Sequence, residues 1–211
     1  MVKLYEVSPK LKFVGLRELL LKIHRGLLVV HSYVKPYSAH YPDKLSNVEK
    51  MVLVLEDRRF LDHYGVDLRS VLRELLRAMK FQRHGGASTI DMQFVRTCTG
   101  YRERTIRRKV YEIFLSIIIQ FRYSKIVILR SYLACAFFGS HLEGVEAVSR
   151  KLFGKNSAEL SVEQASYVAA MLVYPMGLKT SDAWWSRLQR RAIYGKAVYV
   201  LNKESFDKLP V

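Results

Sequence analysis

Apolar residues along this chain recur mostly at three- and four-residue spacing, the period of an amphipathic helix. Leu68, Val71, Leu72, Leu75, Leu76 and Met79 keep that spacing, while Arg69, Arg73, Arg77 and Lys80 take the opposite face. Ile106, Val110, Ile113, Phe114, Ile117 and Ile118 repeat it, predicting a long helix from about Glu103 to Phe121. Nearer the N-terminus the pattern predicts an amphipathic helix within Leu11 to Val34, then one from about Asn47 through Phe60 that Gly65 interrupts. Paired glycines favour turns, so His84-Gly85-Gly86 ends the basic helix. Ser88-Thr89-Ile90-Asp91 reads as a cap leading into a helix through Thr97. Further helices are predicted from Lys125 to Phe138, Glu143 to Leu152, Ser161 to Val173 and Asp182 to about Leu201. No internal repeat and no strand pattern longer than a few residues is visible, so the predicted class is mainly α.

At 211 residues the chain can hold one full domain with a sizeable core. Half its residues are hydrophobic, which excludes a disordered chain. Pro36 and Pro42 mark an irregular connection, dividing an N-terminal helix and linker (1–41) from a main domain (42–201) and a short tail (202–211). The net charge of +16 implies an anionic partner: nucleic acid, anionic lipid or a phosphorylated substrate. That charge is local. Fourteen Lys and Arg face four acids between Arg69 and Arg130, which accounts for +10 of the +16.

Cys98 and Cys135 lack metal-ligand spacing and read as small core residues. No secretory signal pattern is present. Arg17, Glu18, Lys22, His24 and Arg25 break the Leu11 to Val34 stretch, which falls short of the roughly 20 apolar residues of a membrane span. It reads as a helix that lies on a membrane surface or packs on its own domain. His63 has no partner at ligand spacing and reads as structural, and Trp184-Trp185 as core or membrane-edge packing.

Three stretches carry candidate chemistry. Glu56 closes the apolar run Met51 to Leu55, where a charge needs solvation or a partner. It is either a solvated helix end or a partly desolvated carboxylate suited to acid–base work. Gly85-Gly86-Ala87-Ser88-Thr89 combines small residues, hydroxyl donors and a following helix N-terminus, with Gln93 one turn on; it is an anion cradle or an ordinary capped loop. Arg104, Arg108 and Glu112 fall at i, i+4 and i+8 beside Lys109, a stripe fit for a pyrophosphate and a metal ion or leaving group, or a plain solvated face. Arg96 and Arg73 stand where they can converge on the same anion.

Together these stretches resemble a known family. Glu56-Asp57-Arg58-x-Phe60-x-x-His63-x-Gly65-x-Asp67 is similar to the first motif of the peptidoglycan glycosyltransferases, the family 51 glycosyltransferases. Gly85-Gly86-Ala87-Ser88-Thr89-Ile90-x-Met92-Gln93 resembles their second motif, and Arg108-Lys109-x-x-Glu112 the third. Lys125-x-x-Ile128-Leu129-x-x-Tyr132-Leu133 matches the fourth, and Arg190-Arg191 stands where a weaker fifth would be. The likeness spans about Pro42 to Tyr199. It implies a lysozyme-like head lobe with a smaller membrane-facing jaw lobe at about 75–121. It also implies polymerisation of lipid II, an undecaprenyl-pyrophosphate-linked disaccharide-peptide, into β-1,4 glycan strands with inversion.

Glu56 would then match the general base and Glu112 the second glutamate that supports departure of the pyrophosphate. Arg96, Arg104 and Lys109 fall where the family places its pyrophosphate-binding cations. Asp57, Arg59, Arg73, Gly86, Ser88, Thr89, Gln93 and Arg108 would complete the cleft. No cofactor is required, although magnesium or manganese near Glu112 is compatible with the likeness. Expected partners are lipid II or a related polyprenyl-pyrophosphate glycan, a membrane surface and other cell-wall enzymes, with no nucleic acid. The expected location is peripheral, on the outer face of the cytoplasmic membrane.

Some positions depart from the pattern. Asp91 replaces the usual threonine or serine and would bring a negative charge near an anionic ligand; Thr97 and Ala134 stand where asparagine is usual. The segment after Pro175 lacks the usual Ala-Pro continuation. No membrane anchor and no penicillin-binding transpeptidase domain is visible, so any activity is expected to be monofunctional. A non-catalytic relative that binds lipid-linked precursors or partner enzymes is the alternative.

Overall fold

The computed structural model describes residues 15–34, 44–79 and 88–207, together with Lys10 and Gly86. In chain order it contains α1 (Leu16–Val34), α2 (Asn47–Glu56), a 3-10 turn (Phe60–Asp62), α3 (Leu68–Met79), α4 (Ile90–Thr99), α5 (Ile106–Gln120) and α6 (Lys125–Cys135). A small hairpin of β1 (Phe137–Gly139) and β2 (Leu142–Glu143) follows. Then come α7 (Val145–Phe153), a second 3-10 turn (Ser157–Glu159), α8 (Val162–Ala170), α9 (Asp182–Leu201) and α10 (Lys203–Asp207). The fold is mainly α, as expected. The connection at Pro36 and Pro42, the Gly85 turn and the end of the tail (208–211) lie outside the described residues. So does part of the expected jaw, 80–85 and 87.

Polar caps explain most helix starts. Ser46 with Glu49, and Ser161 with Gln164, form capping boxes on α2 and α8. Thr89, Thr105, Ser124 and Ser181 each accept a first-turn N–H of α4, α5, α6 and α9. Each such bond satisfies a backbone donor that the helix itself leaves open.

Several boundaries differ from the sequence expectation. The first core helix stops at Glu56 because Asp57 leaves helical space at φ −157°. The long helix starts at Ile106, not Glu103, because Thr105 caps it. The next ends at Cys135, since Ala136 is extended and the chain turns into β1. There Gly139, at φ 149°, lies so close to another strand of backbone that a Cβ would sit 2.3 Å from the Met176 carbonyl oxygen. Met176 N–H donates to the Phe138 carbonyl and Ser140 N–H to that of Met176, each at 2.8 Å.

The core lies around α2 and α4. Val48, Met51, Val52, Leu53 and Val54 of α2 are buried where α8 and α9 pack against it. Ile90, Met92, Phe94 and Val95 of α4 are buried between α1, α5 and α6. Each such side chain contributes about 1.5–3 kcal/mol of burial free energy. Cys98 and Cys135 are buried free thiols, the small core residues expected. Trp184 is buried and donates to the carbonyls of Tyr174 and Pro175, each at 3.2 Å, while Trp185 is exposed. Among the described residues no helix is long and apolar enough to cross a membrane.

Candidate active site

Glu56 is the last residue of α2, so it projects from the end of an apolar helix whose body is buried. Its side chain is 9% exposed and held from two sides. Gln93 Nε2 of α4 donates to Glu56 Oε2 at 3.2 Å, and Arg191 Nη2 of α9 donates to Oε1 at 2.7 Å. Arg191 also donates to the Leu55 carbonyl at 2.9 Å, tying α9 to the end of α2. Tyr132 of α6 donates its phenol to Gln93 Oε1 at 2.7 Å, which turns the Gln93 amide toward Glu56. Burial, with Glu56 adding to it, pushes the Tyr132 phenol well above its ordinary range, so it stays a donor.

A second group lies one turn along α4. Arg96, three residues after Gln93, donates from Nε to Glu112 Oε1 at 3.0 Å and from Nη2 to Ser88 Oγ at 3.3 Å. Arg108 donates to the same Glu112 oxygen. Lys109 Nζ donates to Ser88 Oγ at 2.9 Å. Glu112 is 1% exposed and its Oε2 has no hydrogen-bond partner among the described residues. Burial pushes the Lys109 ammonium below the ordinary lysine value; Glu112 opposes this and the two arginines reinforce it. Three cations around one carboxylate leave the group net positive, the setting that holds a polyanion.

Behind Glu56 runs a buried polar ring. Asp57 Oδ2 accepts from His63 Nε2 at 3.0 Å and from the Ile90 N–H at 3.2 Å. Lys125 Nζ sits 3.5 Å from His63 Nδ1, 3.0 Å from Asp91 Oδ2 and 4.3 Å above the Phe60 ring. Burial pushes the Asp91 carboxyl above the usual carboxylate range and the Lys125 ammonium below its own, and each partner opposes the other's shift. Asp57, His63 and Asp91 offer ligand atoms within 4.8 Å of one another, as a metal site would. The Lys125 ammonium stands among them and supplies a positive charge, while Asp91 Oδ1 is buried with no hydrogen-bond partner among the described residues.

The structure therefore brings together Glu56 with Gln93, and Ser88 with Arg96, Arg108, Lys109 and Glu112. Thr89 caps α4, and its Oγ1 donates to the Gly65 carbonyl at 2.7 Å. Arg59 is engaged by Asp67 at 2.9 Å. Arg73 donates to Ser70 at 3.1 Å on exposed α3. Gly86 is exposed, and a Cβ added there would meet nothing within 4 Å among the described residues.

Two expectations are corrected. Arg104 is exposed and precedes the Thr105 cap, so it is not part of the α5 stripe that carries Arg108 and Glu112. Asp91 is fully buried and paired with Lys125, so its charge does not face an anionic ligand. Thr97 bonds back to the Gln93 carbonyl at 2.9 Å. Arg191 and Tyr132 are the residues that sequence reasoning left out; their positions in the fifth and fourth motifs were the available signal. A separate cavity of about 660 Å³ opens at the far end of α2, beside the Glu49–Arg130 ion pair, and none of the candidate residues lines it.

A model of the transglycosylase family matches residues 31–202. A biosynthetic peptidoglycan transglycosylase of Thiobacillus denitrificans is 30% identical over 182 residues, covering 85% of this chain and 73% of that protein. One from Vibrio parahaemolyticus is 32% identical over 133 residues, covering 63% of this chain and 59% of that protein. Penicillin-binding protein 1A of Clostridium tetani is 31% identical over 182 residues, covering 80% of this chain but 23% of its own length. The chain thus spans about a quarter of that longer relative. With the match extending over most of the sequence and across every element that carries Glu56, Gln93, Glu112 and Arg191, the chain belongs to the transglycosylase family.

Proposed function

We propose that this chain polymerises lipid II, the undecaprenyl-pyrophosphate-linked disaccharide-peptide, into β-1,4 glycan strands for peptidoglycan. The observation that carries the reading is the spacing of two differently built carboxylate sites along α4. Gln93 holds one end, at Glu56, and Arg96 holds the other, at Glu112, one helical turn away.

In this reading Glu56 takes the proton from the acceptor 4-hydroxyl as that oxygen attacks the donor anomeric carbon. The bond from that carbon to the pyrophosphate oxygen breaks, and the leaving group carries off the electron pair. Attack and departure on opposite faces invert the carbon. Arg96, Arg108 and Lys109 take up the growing negative charge on the pyrophosphate, with Ser88 holding Arg96 and Lys109 in line. Glu112 is assigned to orienting Arg96 and Arg108. Its neighbours Arg96, Arg108 and Lys109 already carry the positive charge that magnesium or manganese would bring there.

A membrane lipid substrate needs a surface that meets lipid. Leu68, Leu72 and Leu76 of α3 are exposed at successive turns, as are Ile106, Val110 and Phe114 of α5. Exposed apolar stripes beside a basic group favour peripheral binding to an anionic bilayer, on the outer leaflet where the substrate would be met. The non-catalytic alternative drew on Asp91, Thr97 and Ala134 and on the lack of a visible anchor; of these, Asp91 is paired with Lys125 inside the protein.

The test is conversion of labelled lipid II to polymer by purified protein. Glu56→Gln should lower the rate by about three orders of magnitude with an unchanged circular dichroism spectrum. Equal rates in the two proteins would overturn the assignment.

A further inference from the structure

Two chains of hydrogen bonds cross the same three helices. The outer one runs from Tyr132 on α6 through Gln93 on α4 to Glu56 on α2. The inner one is a closed ring. It leaves the first turn of α4 at Asp91, passes to Lys125 on α6, then to His63 and Asp57, and returns to α4 at the Ile90 N–H. Both chains therefore set the spacing of α2, α4 and α6, and the inner ring ends on the residue next to Glu56.

The donors and acceptors in the ring have a fixed sense. An ionised Asp57 carboxylate can only accept, so His63 must donate from Nε2, and Nδ1 is left as the acceptor. The group nearer to Nδ1 is the Lys125 ammonium at 3.5 Å, which can only donate; Asp91 Oδ2 stands further off, at 4.0 Å. Asp91 keeps that ammonium in place: its carboxylate is fully buried and Lys125 is its ion-pair partner at 3.0 Å. Without the carboxylate, the flexible lysine side chain keeps only the Phe60 ring and His63 Nδ1 as close partners in a desolvated site, and its position loosens.

We propose that Asp91 is a positioning residue, which through Lys125 fixes the His63 tautomer and through His63 holds Asp57 and the adjoining Glu56 against Gln93. The inference rests on the proposed glycosyl transfer for its kinetic half. Its structural half stands on the ring alone.

The experiment combines nitrogen NMR of 15N-histidine-labelled protein with polymerisation kinetics, using Asp91→Asn and, as a variant with the smaller hydroxyl side chain usual in the family, Asp91→Thr. A His63→Gln spectrum identifies the His63 resonances. In wild type His63 should be a single Nε2–H tautomer; in both variants it should become a mixture. The turnover number should fall on the order of 10- to 100-fold, with KM changing less than about threefold. Asp91→Asn combined with Lys125→Met should lose no more than the larger single loss, because the two residues act in series.

An unchanged His63 tautomer overturns the proposal, as does a mixed tautomer with unchanged turnover. A wild-type chain that makes no polymer overturns the proposed function and the kinetic half together. The tautomer measurement then decides the ring on its own.

Discussion

Glu112→Gln separates packing from charge in the cationic group. The substitution keeps the volume of a side chain that is 1% exposed, but places an amide where Arg96 and Arg108 donate. A hydrogen bond to a charged group contributes about 1.5–3 kcal/mol. Arg96 is 35% exposed, so water recovers much of its share, whereas Arg108 at 12% has little such relief. The net loss should be about 2–3 kcal/mol, which lowers the melting temperature of a domain this size by about 4–12 °C. Binding should move the other way. With their carboxylate gone, Arg96, Arg108 and Lys109 face an added anion unopposed, and affinity for inorganic pyrophosphate should rise by about 3- to 10-fold. Polymer formation should nevertheless fall, because the two guanidinium groups lose the carboxylate that aims them. Scanning calorimetry, pyrophosphate titration and labelled lipid II turnover read these three effects separately. An unchanged melting temperature with unchanged pyrophosphate affinity would refute the reasoning, since Glu112 would then not be the partner of these cations.

Arg191→Met removes the donors to Glu56 and to the Leu55 carbonyl, and should cut turnover about 10- to 100-fold, with Arg191→Lys recovering part of it; equal turnover in wild type and Arg191→Met would contradict the role of α9. The Lys109 ammonium is pushed below its ordinary value of 10.5, and its charged form is the one that attracts an anion. Pyrophosphate affinity should therefore decline as pH rises through a midpoint below 10.5, and titration of Lys109→Arg should show no such step. Phe114→Ser with Val110→Ser removes two of the three apolar residues named in the exposed α5 stripe and should reduce co-sedimentation with anionic vesicles severalfold. Undiminished binding would place the membrane-facing surface elsewhere.

Residues close in sequence were legible, and those joined only by folding were not. The helical period of Met51 to Leu55 announced the body of α2, though not its end at Glu56, and Ser88, Arg96 and Glu112 could be read from local motifs. Glu56 is a helix end, but at 9% exposure and with two hydrogen-bond donors on it, it is not the solvated one that the sequence also allowed. Arg104 was misread because periodicity extends past a helix end unless the cap is noticed, and Thr105 was that cap. The hairpin at Phe137 was too short to show alternation. Asp91 looked like an intruder in an anion site because its compensating cation, Lys125, lies 34 positions away and no local pattern joins them. Arg191 was hidden for the same reason, with 135 positions separating it from Glu56.

That last separation bears on how the protein is made. Gln93 and Glu56 close a loop of 37 positions, while Arg191 can reach Glu56 only after a loop of 135 has closed. Long loops form contacts late, because chain entropy must be spent before the contact returns anything. We expect a chain growing from its N-terminus to build the anion-binding group on α4 and α5 first, and to leave Glu56 without its guanidinium partner until α9 docks. Pulse-labelling hydrogen exchange during refolding should show α9 protected after α4, and simultaneous protection would remove the expectation. On this schedule, assembly of the proposed base is a signal that the domain has folded.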